Sequence, residues 1–201
     1  MLCAVVKADG YGHGDVPSAE MALEGGAKWL AVALVEEGIR LRDAGIDVPI
    51  LLLSEPTKEE APLAVKWDLV PTVYRRTFIE LLAAEIDERT VLPVHLKVDT
   101  GMHRVGASPD TALDLAVMVD DHPRLELQGV WTHFSVADED PDFTREQIRR
   151  FEEFVGQLAE RGIKPPMLHA GNTAGGLMFD NARYSMVRAG LGLYGLRPAP
   201  D

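Results

Sequence analysis

The sequence predicts an α/β protein folded as a (β/α)8 barrel of the TIM type. Short apolar runs alternate with amphipathic segments along the whole chain, and eight such runs can be marked. Several are nearly continuous in Val, Leu and Ile, as expected of strands buried on both faces of a parallel sheet. An open doubly wound sheet is the alternative, because periodicity does not show closure. The 201 residues contain no internal repeat, low-complexity segment or linker, so 1–201 reads as one domain.

In order, the expected strands are Leu2–Val6, Trp29–Leu34, Pro49–Leu53, Leu69–Val73, Pro93–Val98, Leu125–Thr132, Met167–His169 and Met186–Ala189. The clearest helix spans Thr144–Arg161, where Ile148, Phe151, Val155 and Leu158 recur among charged residues, with Gly162 as its stop. Ser108-Pro109 opens another, Ser108 capping it and Pro109 in the first position. Thr57 is the expected cap of the segment after Ser54-Glu55-Pro56.

Composition narrows the function classes. The chain is 46% hydrophobic and 26% charged, with a formal net charge of −12. That acidity argues against nucleic acid or an anionic membrane as the main partner. No apolar run approaches the roughly 20 residues needed to span a bilayer. Met1 to Val6 is short, uncharged and followed at once by Lys7, unlike a secretory signal. The single cysteine, Cys3, fits a reducing cytoplasm and reads as a small core residue. There are no paired cysteines or HExxH motif, so no metal site is expected.

Parallel α/β proteins gather their chemistry where strands end. The first run ends in Lys7-Ala8-Asp9-Gly10-Tyr11-Gly12-His13-Gly14. A lysine leaving a buried strand is partly desolvated and so nucleophilic towards carbonyls, and close-set glycines admit a bound group to the backbone. The fifth run ends in Lys97-Val98-Asp99 and leads to Arg104; alternation sends Lys97 and Asp99 to one side. Two cations beside one carboxylate could anchor an anionic or phenolate oxygen, or form a structural ion-pair network.

The sixth run gives Thr132-His133-Phe134, an imidazole and a flat ring at the mouth, equally readable as core. The seventh leads through His169-Ala170-Gly171 to Asn172 and Thr173 at a helix start, which offers backbone N–H groups to an anion. The eighth carries Arg188 in an otherwise apolar strand, followed by Ala189-Gly190-Leu191-Gly192. A buried arginine needs partners, and barrel phosphate sites lie near strands seven and eight. The residues alone thus suggest a carbonyl-reactive lysine beside a phosphate-bearing ligand.

This ordered set resembles the alanine racemase family over nearly the whole chain. Ala4-Val5-Val6-Lys7 through Gly14 resembles the family's cofactor-lysine segment, and Lys97-Val98-Asp99-Thr100-Gly101-Met102-His103-Arg104-Val105-Gly106 its second signature. Thr132-His133-Phe134, His169-Ala170-Gly171-Asn172-Thr173 and Arg188 through Gly195 follow in the family's order. The resemblance implies interconversion of L- and D-alanine, supplying D-alanine for peptidoglycan, with pyridoxal 5′-phosphate as cofactor and a homodimer as the full-length enzyme. It implies that Lys7 is the Schiff-base lysine and the base on the D-alanine side. It places Tyr11, Asn172, Thr173, Gly190 and Leu191 at the phosphate and Arg188 at the pyridine nitrogen. Arg104 would reach the phenolic oxygen and the substrate carboxylate. Lys97 matches a lysine carbamylated in some members, and His133 would hydrogen-bond Arg188 or line the ring.

Asp9-Gly10, His103 and Thr173 depart mildly from the family's usual residues. The second base, a tyrosine of the family's C-terminal β-domain, has no counterpart within these residues, so the resemblance implies weak racemisation by this chain alone. A barrel that carries pyridoxal phosphate without turnover is the alternative, and the Lys97–Arg104 signature weighs against it. Tyr11-Gly12-His13-Gly14 and Arg188 weigh against a related decarboxylase or aldolase.

Overall fold

The computed structural model describes residues 1–87 and 89–198. All eight expected runs form strands, most shorter than the apolar stretch that announces them: β1 (Leu2–Val5), β2 (Trp29–Val32), β3 (Ile50–Leu52), β4 (Thr72–Val73), β5 (Leu92–Lys97), β6 (Leu125–Trp131), β7 (Met167–His169) and β8 (Val187–Ala189). After each of the first seven comes a helix: α1 (Asp15–Glu24), α2 (Val35–Asp43), α3 (Ala61–Lys66), α4 (Arg76–Glu85), α5 (Pro109–Asp120), α6 (Pro141–Glu160) and α7 (Thr173–Met178). A 3-10 turn, Leu191–Tyr194, follows β8.

The strands pair in parallel as two four-stranded sheets, β3-β2-β1-β8 and β4-β5-β6-β7. Their edges meet at two seams. Leu51 bridges to Val70, with Leu52 N–H donating to the Val70 carbonyl at 2.9 Å. On the other side Ser185 N–H donates to Leu168 O at 3.0 Å and Arg188 N–H to Gly171 O at 2.9 Å. Strand order is therefore cyclic, as in an α/β barrel, although no ladder between named strands crosses either seam.

Alternation along the strands separates two environments. Outward residues pack under the helices: Ala4, Val6, Leu30 and Val32 beneath α1 and α2, and Val94, Leu96 and Val130 with Leu113, Phe151 and Phe154 of α5 and α6. Inward residues form a smaller cluster containing Cys3, Val5, Trp29, Leu51 and Met186. Cys3 is a free, buried thiol, as its apolar setting suggests. Burial pushes its pKa up to about 12.

Two helix starts differ from expectation. The long helix begins at Pro141, three residues before Thr144, because Asp140 caps it by accepting from Asp142 N and Phe143 N. Its end agrees: Gly162 adopts φ +80 just beyond Arg161. Thr57 does not cap α3. Its N–H and hydroxyl both donate to the Glu60 carboxylate at 2.9 Å, forming a turn, and Glu60 is the cap residue. Ser108 caps α5 as expected, accepting from Thr111 N. No helix among the described residues is long and apolar enough to cross a membrane.

Candidate functional site

A cavity of about 420 Å³ opens at the C-terminal ends of the strands. Lys7, Tyr11, Lys97, Arg104, His133, Asn172, Thr173, Arg188, Gly190 and Leu191 all line it. These ten residues, singled out from sequence, thus meet at one place, whereas Asp99 does not line the cavity. A groove of about 530 Å³ beside α4 and α5, lined by Arg76, Asp114, Met118 and His122, lies on the surface and contains none of them.

The segment after β1 is the most unusual piece of backbone. Ala8, Asp9, Gly10 and Tyr11 have φ of 51, 55, 58 and 55 and ψ of 53, 48, 42 and 33, which is a turn of left-handed helix. Three of those residues carry a Cβ, and each costs about 1–2 kcal/mol in this conformation. The surroundings hold it in place. Glu37, buried at the start of α2, accepts Ala8 N–H on Oε1 at 2.6 Å, while Oε2 accepts Ala33 N–H and Leu34 N–H. Gly10 is required here, since a Cβ would lie 2.6 Å from Ser18 Oγ. Lys7, at the root of the turn, makes no hydrogen bond or ion pair among the described residues.

Arg188 rises from β8 through the barrel interior and is 2% exposed. Nη1 donates to His169 Nδ1 at 2.7 Å, and Nη2 donates to Thr132 O at 2.7 Å and Ala170 O at 2.9 Å. His133 Nδ1 lies 3.4 Å from Nη2. No carboxylate pairs with Arg188 among the described residues, and Nε has no partner there. Burial lowers its pKa to about 10. Burial, followed by repulsion from Arg188, holds His133 and His169 well below the usual imidazole range, so both rings are neutral acceptors.

Lys97 ends β5 with its ammonium 4.2 Å from the Trp131 ring centroid, and the Arg188 guanidinium lies 4.5 Å from the same ring. Burial, then the charges of Arg188 and Arg104, lowers the Lys97 pKa to about 7. Asp99 does not join Lys97 and Arg104 in the expected cluster. Its carboxylate turns onto its own loop, accepting from Gly101 N, Met102 N and His103 N, with His103 Nδ1 at 3.3 Å. A loop that reverses after a strand leaves amides needing an acceptor, and the Asp99 side chain bonds those just ahead of it. Arg104 therefore reaches the cavity without an ion pair among the described residues. Arg150 Nη1 and Gln147 Nε2 tie that loop down at Thr100.

On the far wall Thr173 Oγ1 accepts from Gly190 N at 3.0 Å and Gly192 N at 3.4 Å, drawing the loop after β8 onto the start of α7. Asn172 caps that helix through Gly175 N at 2.9 Å, so its carbonyl is already committed. The Tyr11 hydroxyl sits over Gly190, where a Cβ would come within 2.5 Å of it. Together these groups make a concave wall of hydroxyls and glycine backbone.

Two contributors, Trp131 and Glu37, escaped the sequence reading, and a third, His169, was named there only as the start of the Asn172 segment. Trp131 carries both cations on its ring, and its indole Nε1 is buried without a partner among the described residues. His169 is the acceptor that Arg188 approaches most closely among side chains. Glu37 fixes the lysine turn. Alternation from Arg188 and His133 could have pointed to Trp131, but nothing local marks Glu37.

The family model for the alanine racemase N-terminal domain matches residues 1–198. Among curated relatives, the alanine racemase of Treponema denticola is 42% identical, covering 100% of this chain and 54% of its own length. The enzyme of Geobacillus stearothermophilus is 39% identical over 99% of this chain and 51% of its own. A solved alanine racemase from Clostridium difficile superposes with a TM-score of 0.95 at 33% identity, over 100% of this chain and 56% of that one. The chain spans about half the length of the relatives it matches. It belongs to the alanine racemase N-terminal domain family.

Proposed function

We propose that this barrel is the pyridoxal 5′-phosphate-binding half of an alanine racemase. The carrying observation is electrostatic: in a chain of net charge −12, the cavity is lined by Lys7, Lys97, Arg104 and Arg188 against a single acid, Asp138, among the described residues. Such a cavity selects an anionic ligand, and pyridoxal phosphate with an amino-acid carboxylate supplies several anionic oxygens. The residues fit the cofactor in detail. Lys7 has a free amine for covalent attachment. The Tyr11 and Thr173 hydroxyls and the backbone at Gly190 and Leu191 suit a phosphate, with Asn172 holding the helix start behind them. The unpaired Nε of Arg188 suits a ring nitrogen acceptor.

When bound, the cofactor supplies the electron sink that makes an amino acid's α-proton removable. Lys7 Nζ takes and returns that proton on the D-alanine side. Arg188 keeps its own proton and would donate from Nε to the cofactor's ring nitrogen, which would then stay unprotonated. Arg104 binds the substrate carboxylate, and His133 braces Arg188 as a neutral acceptor. Lys97, with an amine about half neutral near pH 7, is suited to carbamylation. A neighbouring structure, 36% identical, is a Bacillus anthracis alanine racemase with bound L-Ala-P, which supports a substrate of alanine's size. The reading extends to a homodimeric, cytoplasmic enzyme.

Borohydride reduction in the presence of pyridoxal phosphate, followed by peptide mapping, tests the proposal. The expected product is a single modification at Lys7, lost in Lys7→Ala. Modification at another lysine, or none, overturns it.

A further inference from the structure

The barrel interior holds a line of polar groups that runs away from the cavity. Arg188 Nη1 lies 2.7 Å from His169 Nδ1; His169 Nε2 lies 2.9 Å from His95 Nδ1; His95 Nε2 lies 3.3 Å from Gln128 Oε1. Both histidines are fully buried. A guanidinium has donors and no acceptor, so His169 must accept at Nδ1 and carry its proton on Nε2. That proton goes to His95 Nδ1, which leaves the second imidazole protonated on Nε2 and donating to Gln128. One assignment at Arg188 therefore sets every proton in the chain.

Local backbone is shaped to permit it. Between Val94 and His95 the β5–β6 register shifts, pairing Val94 with Leu127 and His95 with Gly129, so Gln128 is an extra residue in β6. Bulges of this kind re-aim side chains beside functional sites. At Gly129 a Cβ would lie 2.6 Å from His95 Cε1 and Nδ1, so the imidazole occupies space that only glycine leaves. Barrel interiors are ordinarily filled by aliphatic layers, and burying polar groups is costly unless every one is satisfied.

We propose that His95 and Gln128 are positioning residues for Arg188, ending a directed hydrogen-bond chain that fixes the guanidinium as a carboxylate-free cation at the cavity floor. No proton moves; the chain holds each one at a stated atom. The proposal rests on the cofactor-binding reading only for its consequence, since the chain itself is a property of this protein's own residues. Groups facing it are Arg188 and Cys3 from β8 and β1, Lys97 from β5, His133 just beyond β6 at 3.4 Å from Arg188 Nη2, Trp29 from β2 against His95, and Trp131 from β6, whose ring stacks on His169 at 5.5 Å. Burial and the Arg188 charge keep His169 neutral, and burial chiefly lowers His95 to about 4.

Reversing the chain's direction without removing bulk is the decisive test. In Gln128→Glu a carboxylate beside His95 raises that imidazole's pKa. Once protonated, His95 donates from Nδ1, forcing His169 to accept at Nε2 and to present Nδ1–H against the Arg188 donor. Two-dimensional ¹⁵N NMR of the full chain, without added cofactor, should show both wild-type rings neutral and Nε2-protonated from pH 5.5 to 8. The slowly exchanging Arg188 guanidinium signal should be unchanged across that range. In Gln128→Glu that signal should shift as His95 titrates, and pyridoxal phosphate should bind about tenfold more weakly at the acid end than at the alkaline end. A wild-type ring that is charged or Nδ1-protonated overturns the proposal. So does a Gln128→Glu protein whose His95 titrates while the Arg188 signal stays still. Neither result depends on whether Lys7 binds the cofactor, so the two readings fail separately.

Discussion

Replacing Glu37 with glutamine should loosen the lysine turn while leaving the side chain's shape intact. The Glu37 carboxylate serves three amides with two oxygens: Ala8 N–H at 2.6 Å on one, and Ala33 and Leu34 N–H at 2.7 and 3.0 Å on the other. A glutamine has one oxygen to offer. If it stays with Ala33 and Leu34, its amino group faces the Ala8 N–H donor across the shortest of the three contacts. A hydrogen bond to a charged group contributes about 1.5–3 kcal/mol, and the donor left behind is partly buried. The turn it holds carries about 3–6 kcal/mol of left-handed backbone cost at Ala8, Asp9 and Tyr11. We expect a loss of about 2–3 kcal/mol, which for a chain of this size lowers Tm by about 5–10 °C. Thermal unfolding by circular dichroism measures the first part, and the rate of borohydride-trapped labelling at Lys7 measures the second. A variant that unfolds within about 0.5 kcal/mol of the wild type and labels at the same rate would refute the role given to Glu37.

Lys97 and Gly190 give two further expectations. Burial and neighbouring cations lower Lys97 from 10.5 to about 7. Between pH 7 and 9 the unfolded chain therefore binds more protons at this site than the folded one, and stability should rise with pH across that window. Lys97→Met should flatten that part of the Tm–pH curve and raise Tm most at pH 6, where the wild type still holds a buried charge. Gly190→Ala should destabilise the loop after β8 by about 1–3 kcal/mol, because the new methyl meets the Tyr11 hydroxyl. The Gly190→Ala, Tyr11→Phe double variant should recover part of that stability in urea unfolding without recovering pyridoxal phosphate binding, since both changes alter the wall proposed to hold the phosphate.

Much of this architecture was legible because burial on both faces leaves a strong mark. Eight apolar runs became eight strands, and reading what followed each one put ten residues around a single cavity. What escaped depends on contacts between segments distant in sequence. Glu37 looks like any acidic residue in a first helical turn, and its role appears only when Ala8 arrives from another strand. The left-handed turn includes Ala8, Asp9 and Tyr11, whose own preferences argue for other conformations, so glycine spacing alone could suggest only a permissive loop. Alternation sent Lys97 and Asp99 to one side of the strand but could not see the amides of Gly101–His103, which claim the Asp99 carboxylate. Asp140 outcompeted Thr144 as a helix start for a similar local reason: two N–H groups lay within its reach.

The division of the barrel into two sheets has a bearing on the order in which the protein is made. β4 to β7 follow one another in sequence and pair as neighbours, so that half can form from residues 72–169 without either end of the chain. β1, which bears Lys7 at its end, must wait for Val187–Ala189 to complete its second edge, a closure across about 185 residues. Of the eight strands, β1 is made before the others and gains its second neighbour last. A nascent chain therefore cannot present a finished cavity until β8 has left the ribosome, and capture of the proposed cofactor by stalled chains of increasing length would record that moment.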